Sequence, residues 1–429
     1  MSEHDRETGL FTGSVLFGRL WSDGEVAELL ADRALIGAML EVEAVLAEAG
    51  EAAGLVPAAA AAAIAATARG LDIDPEMLAA ATARDGVPVP ALVQRLRRAV
   101  TGEAAGFVHL GATSQDVLDS AMMRQAGQVL AVIDRRLAGL VARLTALADA
   151  HRATMMAGRT RGQIALPVPL GLRVAGWAAP LIRHRRRLDE MKPRLLVATL
   201  GGPVGSLSGI DPGAAARLEA AFAARLGLTL PPMPGHAQRD GLAELGSWLS
   251  LVAGALGKIG ADLLIMARSE IAEVRIGGAG GSSAMPHKRN PVRAELLVAA
   301  AREVAGRSGA LHGALIHAEE RDGAAWTAEW QSWPAMAVVT AAALNHADGL
   351  LDDLEIDAPA MQARAGDGVD RGSADRFIDR VIAEAALWDG RPSDGRPSDG
   401  RSSGGRPSDG RSSGGRPSGG KLSGEGEDA

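Results

Sequence analysis

Three long segments without proline limit the folds open to this chain of 429 residues. They cover residues 117–152, 241–276 and 292–320, and at about 1.5 Å per residue each would form a helix roughly 40–50 Å long. A further segment, 26–49, has apolar residues at three- and four-residue spacing, which is typical of an amphipathic helix. Four glycines weaken the prediction for the second segment: Gly246, Gly254, Gly257 and Gly260. Because helices this long rarely suit one small domain, the sequence predicts an all-α fold around a long bundle shared between subunits.

The composition removes several kinds of chemistry. Cysteine and tyrosine are both absent, which excludes disulfides, thiolate nucleophiles, cysteine metal sites and a tyrosine acid or base. The net charge of −7 argues against a nucleic-acid or membrane-surface partner. The N-terminus lacks the pattern of a signal peptide, and the longest strongly apolar stretch, 335–344, is far shorter than the roughly 20 residues of a membrane-spanning helix. We therefore expect a cytoplasmic protein without a membrane partner.

The chain divides by composition into four parts. We predict an N-terminal helical domain (1–110), a central long-helix domain (111–350), a short C-terminal helical segment (351–388) and a tail (389–429). In the tail a five-residue Gly-Ser-Pro-Arg unit repeats six times, a composition that cannot bury a core, so disorder is predicted there. Its regular arginines either contact acidic partners weakly or are simply solvated.

One loop-like stretch carries the clearest chemical signal. Residues 280–291 read GGSSAMPHKRNP, where glycines allow a lid to open and close. Lys288 and Asn290 supply a charge and amide donors of the kind that stabilise an oxyanion. The alternatives are a flexible loop whose serines cap the next helix, or a phosphate-binding loop, although the Gly-Lys-Ser/Thr step of the latter is missing.

This stretch resembles the signature loop of the fumarase/aspartase superfamily. Residues 109–121 (HLGATSQDVLDSA) resemble its Thr-Ser-x-Asp block, and residues 158–171 (GRTRGQIALPVPLG) resemble its second block, in the same order along the chain. The resemblance implies a mostly α-helical homotetramer with a central bundle, in which each active site collects the three blocks from three subunits. It also implies a longer C-terminal helical domain than this chain has, so we expect that domain to be shortened.

Further stretches resemble the cycloisomerase branch of the superfamily, namely residues 35–46, 234–240 and 320–330. Where most relatives have Thr-His in the second block, this chain has Thr160-Arg161. Arginine cannot cycle a proton, because its pKa lies above about 12, whereas a carboxylate leaving group needs no protonation. The resemblance therefore implies reversible lactonisation of 3-carboxy-cis,cis-muconate to a carboxymuconolactone, through an aci-carboxylate intermediate, in the breakdown of protocatechuate.

The resemblance also implies roles for individual residues. Ser282 would be the base, and Lys288 with Asn290 would hold the substrate carboxylate and its enolised form. The remaining substrate-binding candidates are His109, Thr113, Ser114, Arg161, Gln163, His236, Arg239, Ser283, Met285 and Arg321. The arginines would share the charge of a small polycarboxylate with Lys288. No metal or organic cofactor is expected, since the substrate's own carboxylate is the electron sink.

Other interpretations remain open. The chain could be another superfamily lyase such as adenylosuccinate lyase, although Arg161 counts against an amine leaving group, or a non-catalytic structural tetramer. Individual residues also have plainer roles available. Arg239 could pair with Asp240 at a helix start, Arg321 could belong to a surface charge cluster, and His109 could be structural.

Overall fold

The computed structural model describes residues 16–277, 280–281, 285, 288–367 and 370–389. Ser282, Ser283 and residues 390–429 of the predicted disordered tail lie outside the described residues, whereas Asp389, the predicted first residue of the tail, ends a helix. The described part is built on α-helices with three small two-stranded sheets, which confirms the all-α class. The predicted division into domains and the homotetramer stay predictions.

The N-terminal region is a set of short helices packed on one longer helix. Its elements are α1 (Gly18–Trp21), α2 (Gly24–Leu29), α3 (Asp32–Ala52), α4 (Ala58–Gly70), α5 (Glu76–Asp85), α6 (Val89–Ala99) and a 3₁₀ turn (Gly102–Phe107). The prediction of one helix over 26–49 is wrong at its start. Ala31 has extended backbone (ψ 156°) and separates α2 from α3, and the Asp23 carboxylate caps α2 by accepting a hydrogen bond from the Val26 amide at 2.8 Å.

The central bundle contains the long helices. They are α7 (Ser114–Ala150), α8 (Leu170–Leu195), α9 (Pro212–Leu226), α10 (Asp240–Met266), α11 (Val292–Gly313) and α12 (Gly323–Asp352). At about 1.5 Å per residue the 37 residues of α7 extend roughly 55 Å. The proline-free pattern missed α12, because Pro334 lies buried inside that helix.

Two of the predicted long helices end early. The segment 241–276 leaves the helix at Met266 and becomes strand β3 (Val274–Ile276), and the segment 292–320 leaves it at Gly313. The first change has a tertiary cause. The chain turns so that the wholly buried Glu273 forms a two-pronged ion pair with Arg159, at 2.7 and 2.9 Å.

The second sequence block forms a β-hairpin. Strands β1 (Met155–Thr160) and β2 (Gln163–Pro169) pair antiparallel, and Arg161 and Gly162 make the two-residue turn with φ of 52° and 81°. Positive φ at both positions is the geometry of a type I′ turn, which matches the twist of the strands. Strand β3 pairs with β6 (Leu354–Ile356), and β4 (Gly280–Gly281) pairs with β5 (Arg289–Asn290).

Two further helices close the described part of the chain, α13 (Ala358–Ala365) and α14 (Ala374–Asp389). Helix α14 docks on the central bundle through ion pairs of Arg152 with Asp379 at 2.6 Å and of Arg186 with Glu384 at 2.9 Å.

Among the described helices, α10 is long and apolar enough to cross a membrane by length and composition, and half of its most apolar window is buried. It packs on α8, α11 and α12.

The glycines of α10 allow α11 to approach closely. A Cβ atom on Gly260 would lie 2.6 Å from the Ala294 carbonyl oxygen, whereas a Cβ atom on Gly254 would meet nothing within 4 Å. We expect Gly260→Ala to lower the free energy of unfolding by about 1–3 kcal/mol through overpacking. Gly254→Ala should leave it unchanged or raise it by up to about 1 kcal/mol, because alanine is the better helix former. Urea unfolding at one protein concentration checks this, and equal effects of the two changes would contradict it.

His184 makes the stability depend on pH. Its ring is buried in α8 and accepts a hydrogen bond from the Arg187 guanidinium at 3.0 Å. Burial, with help from the charges of Arg187 and Arg183, lowers the pKa of His184 from 6.5 to about 4.

Because the unfolded chain binds this proton at a higher pH than the folded one, stability is fully present above the unfolded pKa and falls as the pH drops toward 4. Between pH 7 and pH 5 we expect His184 to remove about 2 kcal/mol of stability. The variant His184→Gln should lack this part of the pH dependence in urea unfolding. Parallel profiles for the two proteins would show that the ring is not held neutral.

Candidate active site

The first sequence block places buried carboxylates at the start of α7. The Thr113 backbone amide donates to the Asp116 carboxylate at 2.8 Å, which caps the helix. Asp116 also accepts from the amides of Gly201 and Gly202 at 2.9 Å and from His236 Nε2 at 2.7 Å. It thereby fixes the loop 200–208 against the helix start.

Both glycines are required in that loop. Gly202 has φ of +69°, and a Cβ atom there would lie 2.8 Å from the Gly111 carbonyl oxygen, while a Cβ atom on Gly201 would lie 2.7 Å from Pro234. His236 is buried, and its Nδ1 has no hydrogen-bond partner within the described residues. The loop and the His236 ring are therefore packed directly around the Asp116 carboxylate.

One turn further along α7, Asp119 anchors a buried ion-pair network. The Arg239 guanidinium donates to Asp119 at 2.7 Å, to the Glu329 carboxylate through Nε at 2.7 Å and through Nη2, and to the Gly235 carbonyl at 2.9 Å. The Trp326 indole donates to the other oxygen of Asp119 at 2.8 Å. Arg239 pairs with Asp119 and Glu329 rather than with Asp240, and its side chain is only 8% exposed.

Burial and charge oppose one another in this network. Burial by itself lowers the pKa of Arg239, but the charges of Asp119 and Glu329 outweigh it, and the net pKa lies above the ordinary value. Burial raises the pKa of Glu329, an effect that Arg239 partly offsets. His317 Nε2 lies 3.5 Å from Glu329, and burial together with the Arg239 charge lowers the pKa of that histidine. The site thus contains an arginine that is permanently charged and largely occupied by protein partners.

Arg321 differs from Arg239 in its partners. It donates to the Gln115 side-chain oxygen at 3.1 Å, to the Thr113 hydroxyl at 3.0 Å and to the Pro203 carbonyl at 3.1 Å. All three acceptors are neutral, and none of the carboxylates that the structure describes forms an ion pair with this guanidinium. Arg321 therefore does not join a surface charge cluster with its acidic sequence neighbours.

His109 is paired with a buried carboxylate of the N-terminal region. Its Nδ1 lies 2.6 Å from Glu43, whose side chain is completely buried, and its own backbone has φ of 64°. An ionised carboxylate can only accept, so this contact places the proton of a neutral His109 on Nδ1 and leaves Nε2 as an acceptor.

The structure does not bring all predicted residues together in one chain. Arg161 and Gln163 are exposed at the tip of the β1–β2 hairpin. Met285 and Lys288, which lie between β4 and β5 in the sequence, are exposed, and Asn290 belongs to β5. Ser114 is the first residue of α7 and is half-buried. One chain therefore assembles the first block with His236, Arg239 and Arg321. Within the described residues, no side-chain hydrogen bond or ion pair joins Arg161, Gln163, Lys288 or Asn290 to that cluster.

Several residues of the cluster were not predicted: Glu43, Gln115, Asp116, Asp119, Trp326 and Glu329. Their side-chain hydrogen-bond partners outside residues 113–119 lie 66 to 207 residues away. A signal did exist for three of them, because Gln115, Asp116 and Asp119 recur at three- and four-residue spacing within one short polar run at a helix start.

Comparison with known proteins agrees with this fold. A family model described as "Lyase" matches residues 3–306. The chain belongs to this family, the fumarase/aspartase superfamily, which confirms the resemblance seen in the sequence blocks.

The chain is 43% identical over 357 residues to 3-carboxy-cis,cis-muconate cycloisomerase of Pseudomonas aeruginosa, covering 82% of this chain and 78% of that protein. It is 41% identical over 355 residues to nitrosuccinate lyase of Streptomyces davaonensis, covering 79% and 74%. Among solved structures, the 3-carboxy-cis,cis-muconate lactonizing enzyme from Pseudomonas putida superposes with a TM-score of 0.82 at 32% identity. That superposition covers 88% of this chain and all of the other.

The buried network predicts a large cost for removing its cation. We expect Arg239→Met to lower the free energy of unfolding by about 3–5 kcal/mol, because it leaves Asp119 and Glu329 buried without a counter-charge. Arg84→Met breaks an exposed ion pair with Asp85 and should have no measurable effect. Urea unfolding of both variants checks the difference, and an Arg239 variant as stable as the parent would show that the network is not a structural requirement.

Proposed function

We propose that this chain is a 3-carboxy-cis,cis-muconate cycloisomerase that works without a cofactor as a cytoplasmic homotetramer in protocatechuate breakdown. The observation that carries the proposal is Arg321, which lies beside Thr113 at the start of α7 and whose acceptors among the described residues are all neutral. A cation left without a protein carboxylate is suited to an anionic substrate. The 43% identity to a cycloisomerase over most of both chains supports the assignment, and the net charge of −7 fits a partner that is neither nucleic acid nor a membrane surface.

The proposed reaction needs few groups from the protein. One substrate carboxylate attacks the conjugated alkene and forms the lactone C–O bond, while the alkene electrons move into the neighbouring carboxylate as an aci-carboxylate. Lys288 and Asn290 stabilise that dianion, and Ser282 delivers the proton to carbon and removes it in the reverse direction. Thr113, Ser114, Gln163 and the loop residues Ser283 and Met285 bind the substrate, and His109 or His236 orients it.

The second block supports a leaving group that departs without a proton. Arg161, at the hairpin tip, remains charged throughout and cannot act as a general acid. A carboxylate is a weak base and leaves unprotonated. Elimination of nitrite from nitrosuccinate is the second candidate, since nitrite is also a weak base and the 41% identity to a nitrosuccinate lyase is close to that of the cycloisomerase.

Exposed surface on the hairpin supports a site shared between subunits. On β2, the side chains of Ile164 and Leu166 are 64% and 80% exposed, next to the exposed polar tip of Arg161 and Gln163. Large apolar side chains this exposed mark contact surfaces when they cluster. A neighbouring subunit that covers them would bring the hairpin tip to another chain's Arg321.

A direct assay tests the reaction. Purified full-length protein should consume 3-carboxy-cis,cis-muconate, seen as loss of its conjugated-diene ultraviolet absorbance. Lys288→Ala should lower kcat by about 10²–10³-fold, because it removes an oxyanion-stabilising group, and Ser282→Ala should lower it at least as much. Lys192→Ala, which only removes an exposed ion pair with Asp189, should leave the rate unchanged.

Other outcomes separate the alternatives. Nitrite release from nitrosuccinate with no loss of diene absorbance would favour the second candidate, and cleavage of adenylosuccinate would favour a third lyase. No turnover of any of these substrates would favour a structural role. Sedimentation as a stable monomer would contradict the shared site.

A further inference from the structure

We infer that Gln115 determines specificity for substrate charge: its neutral amide leaves the Arg321 guanidinium unneutralised, so that the site accepts an additional carboxylate of its ligand. The inference rests on the proposed function, because it concerns the same site. It assigns a role to a residue of the first sequence block that contacts both Arg321 and Asp119 of the buried ion-pair network.

The orientation of the Gln115 amide is fixed by its partners. Its Nε2 donates to the Asp119 carboxylate at 3.2 Å and to the His236 carbonyl at 3.0 Å, both of which can only accept. Its Oε1 is thereby directed at Arg321 Nε, at 3.1 Å. Gln115 itself is completely buried, so solvent does not compete for these bonds.

The two buried carboxylates at the start of α7 are committed to other partners. Asp116 is occupied by three backbone amides and by His236 Nε2. Asp119 is occupied by Arg239, Trp326 and the Gln115 amide. Arg321 Nη1 forms no hydrogen bond within the described residues, so two N–H donors of a full positive charge remain for a ligand. A carboxylate that met them would form the charge-assisted hydrogen bonds that arginine favours.

A glutamate at position 115 would change the charge while nearly keeping the shape. Its carboxylate would pair with Arg321, would no longer donate to the His236 carbonyl, and would face Asp119 across about the distance that the amide now spans. The affinity for an additional ligand carboxylate would be lost, while contacts made by the rest of the ligand would remain. A methionine at the same position would remove the amide but would leave Arg321 charged.

The test measures binding rather than turnover. The probes are tricarballylate, with three carboxylates, and glutarate, which is the same carbon chain with two, titrated into full-length protein by calorimetry. The parent protein should bind tricarballylate at least about tenfold more tightly than glutarate, in line with a hydrogen bond between charged groups. Gln115→Glu should weaken tricarballylate binding by about 10–100-fold and glutarate binding by less than about threefold.

Control variants separate charge from structure. Gln94→Glu makes the same chemical change on an exposed face of α6 and should bind both probes like the parent. Gln115→Met should keep most of the preference for tricarballylate. Arg321→Gln should lose that preference, and it decides the matter if Gln115→Glu fails to fold, as judged by its thermal midpoint.

Each outcome bears on the inference. A parent protein without preference, or a Gln115→Glu or Arg321→Gln variant that keeps it, would overturn the role of Gln115 while leaving the cycloisomerase assignment to the diene assay. A Gln115→Met variant that loses as much as Gln115→Glu would show that packing, not charge, matters at this position. Binding of neither probe to the parent would overturn this inference and would count against the proposed substrate class as well.

Discussion

Two carboxylates, buried one helical turn apart at the start of α7, hold the candidate site together. Asp116 binds backbone amides of a loop 85 residues further along the chain, and Asp119 binds Arg239 at the start of α10 and Trp326 in α12. A buried carboxylate costs several kcal/mol unless it is paired and hydrogen-bonded. The segments that carry these partners must therefore meet if the chain is to fold. The carboxylates that shape the site thus also connect α10 and α12 to the start of α7.

The same requirement sorts the arginines of the site into two kinds. Arg239 is fully paired with Asp119 and Glu329, so its role is to stabilise the fold. Within the described part of the chain, Arg321 donates to neutral acceptors, because the buried Asp116 and Asp119 already have other partners. The network as a whole therefore has a functional consequence. Arg239 is neutralised and Asp116 and Asp119 have their partners, so the charge of Arg321 is left without a counter-charge from these groups.

The sequence predicts the helices of this fold better than it predicts where they end. Proline-free, alanine-rich segments indicate long helices through local propensity alone, and α7 confirms this. The end of α10 depends on Glu273 reaching Arg159, a partner 114 residues away. Helix α12 contains Pro334, and Arg161 adopts a positive φ that arginine rarely takes. These features are decided by tertiary packing, which local patterns do not encode.

The sequence predicted the site residues that belong to a recognisable motif. It did not predict those whose role depends on partners far away along the chain. The motif drew attention to Thr113, Ser114 and Arg321 because they belong to recognisable blocks. It gave no reason to separate Arg239 from Arg321, since both are arginines in polar stretches. The two arginines differ in their partners. Arg239 binds two carboxylates, whereas Arg321 binds the neutral Gln115, which lies 206 residues away in the sequence.

An enzyme of this type depends strongly on the dielectric surroundings of its cations. With Arg161 where a proton donor would otherwise stand, the proposed reaction relies on stabilising negative charge rather than on supplying a proton. In a single chain Arg161 and Lys288 are exposed, and the attraction between charges about 4 Å apart is worth only about 1 kcal/mol in water but several times more near a protein surface or in a protein interior. Assembly of the proposed tetramer would exclude water as well as bring the blocks together. Subunit contact would then strengthen the hold of Arg161, Lys288 and Arg321 on the substrate, so that assembly itself contributes to catalysis.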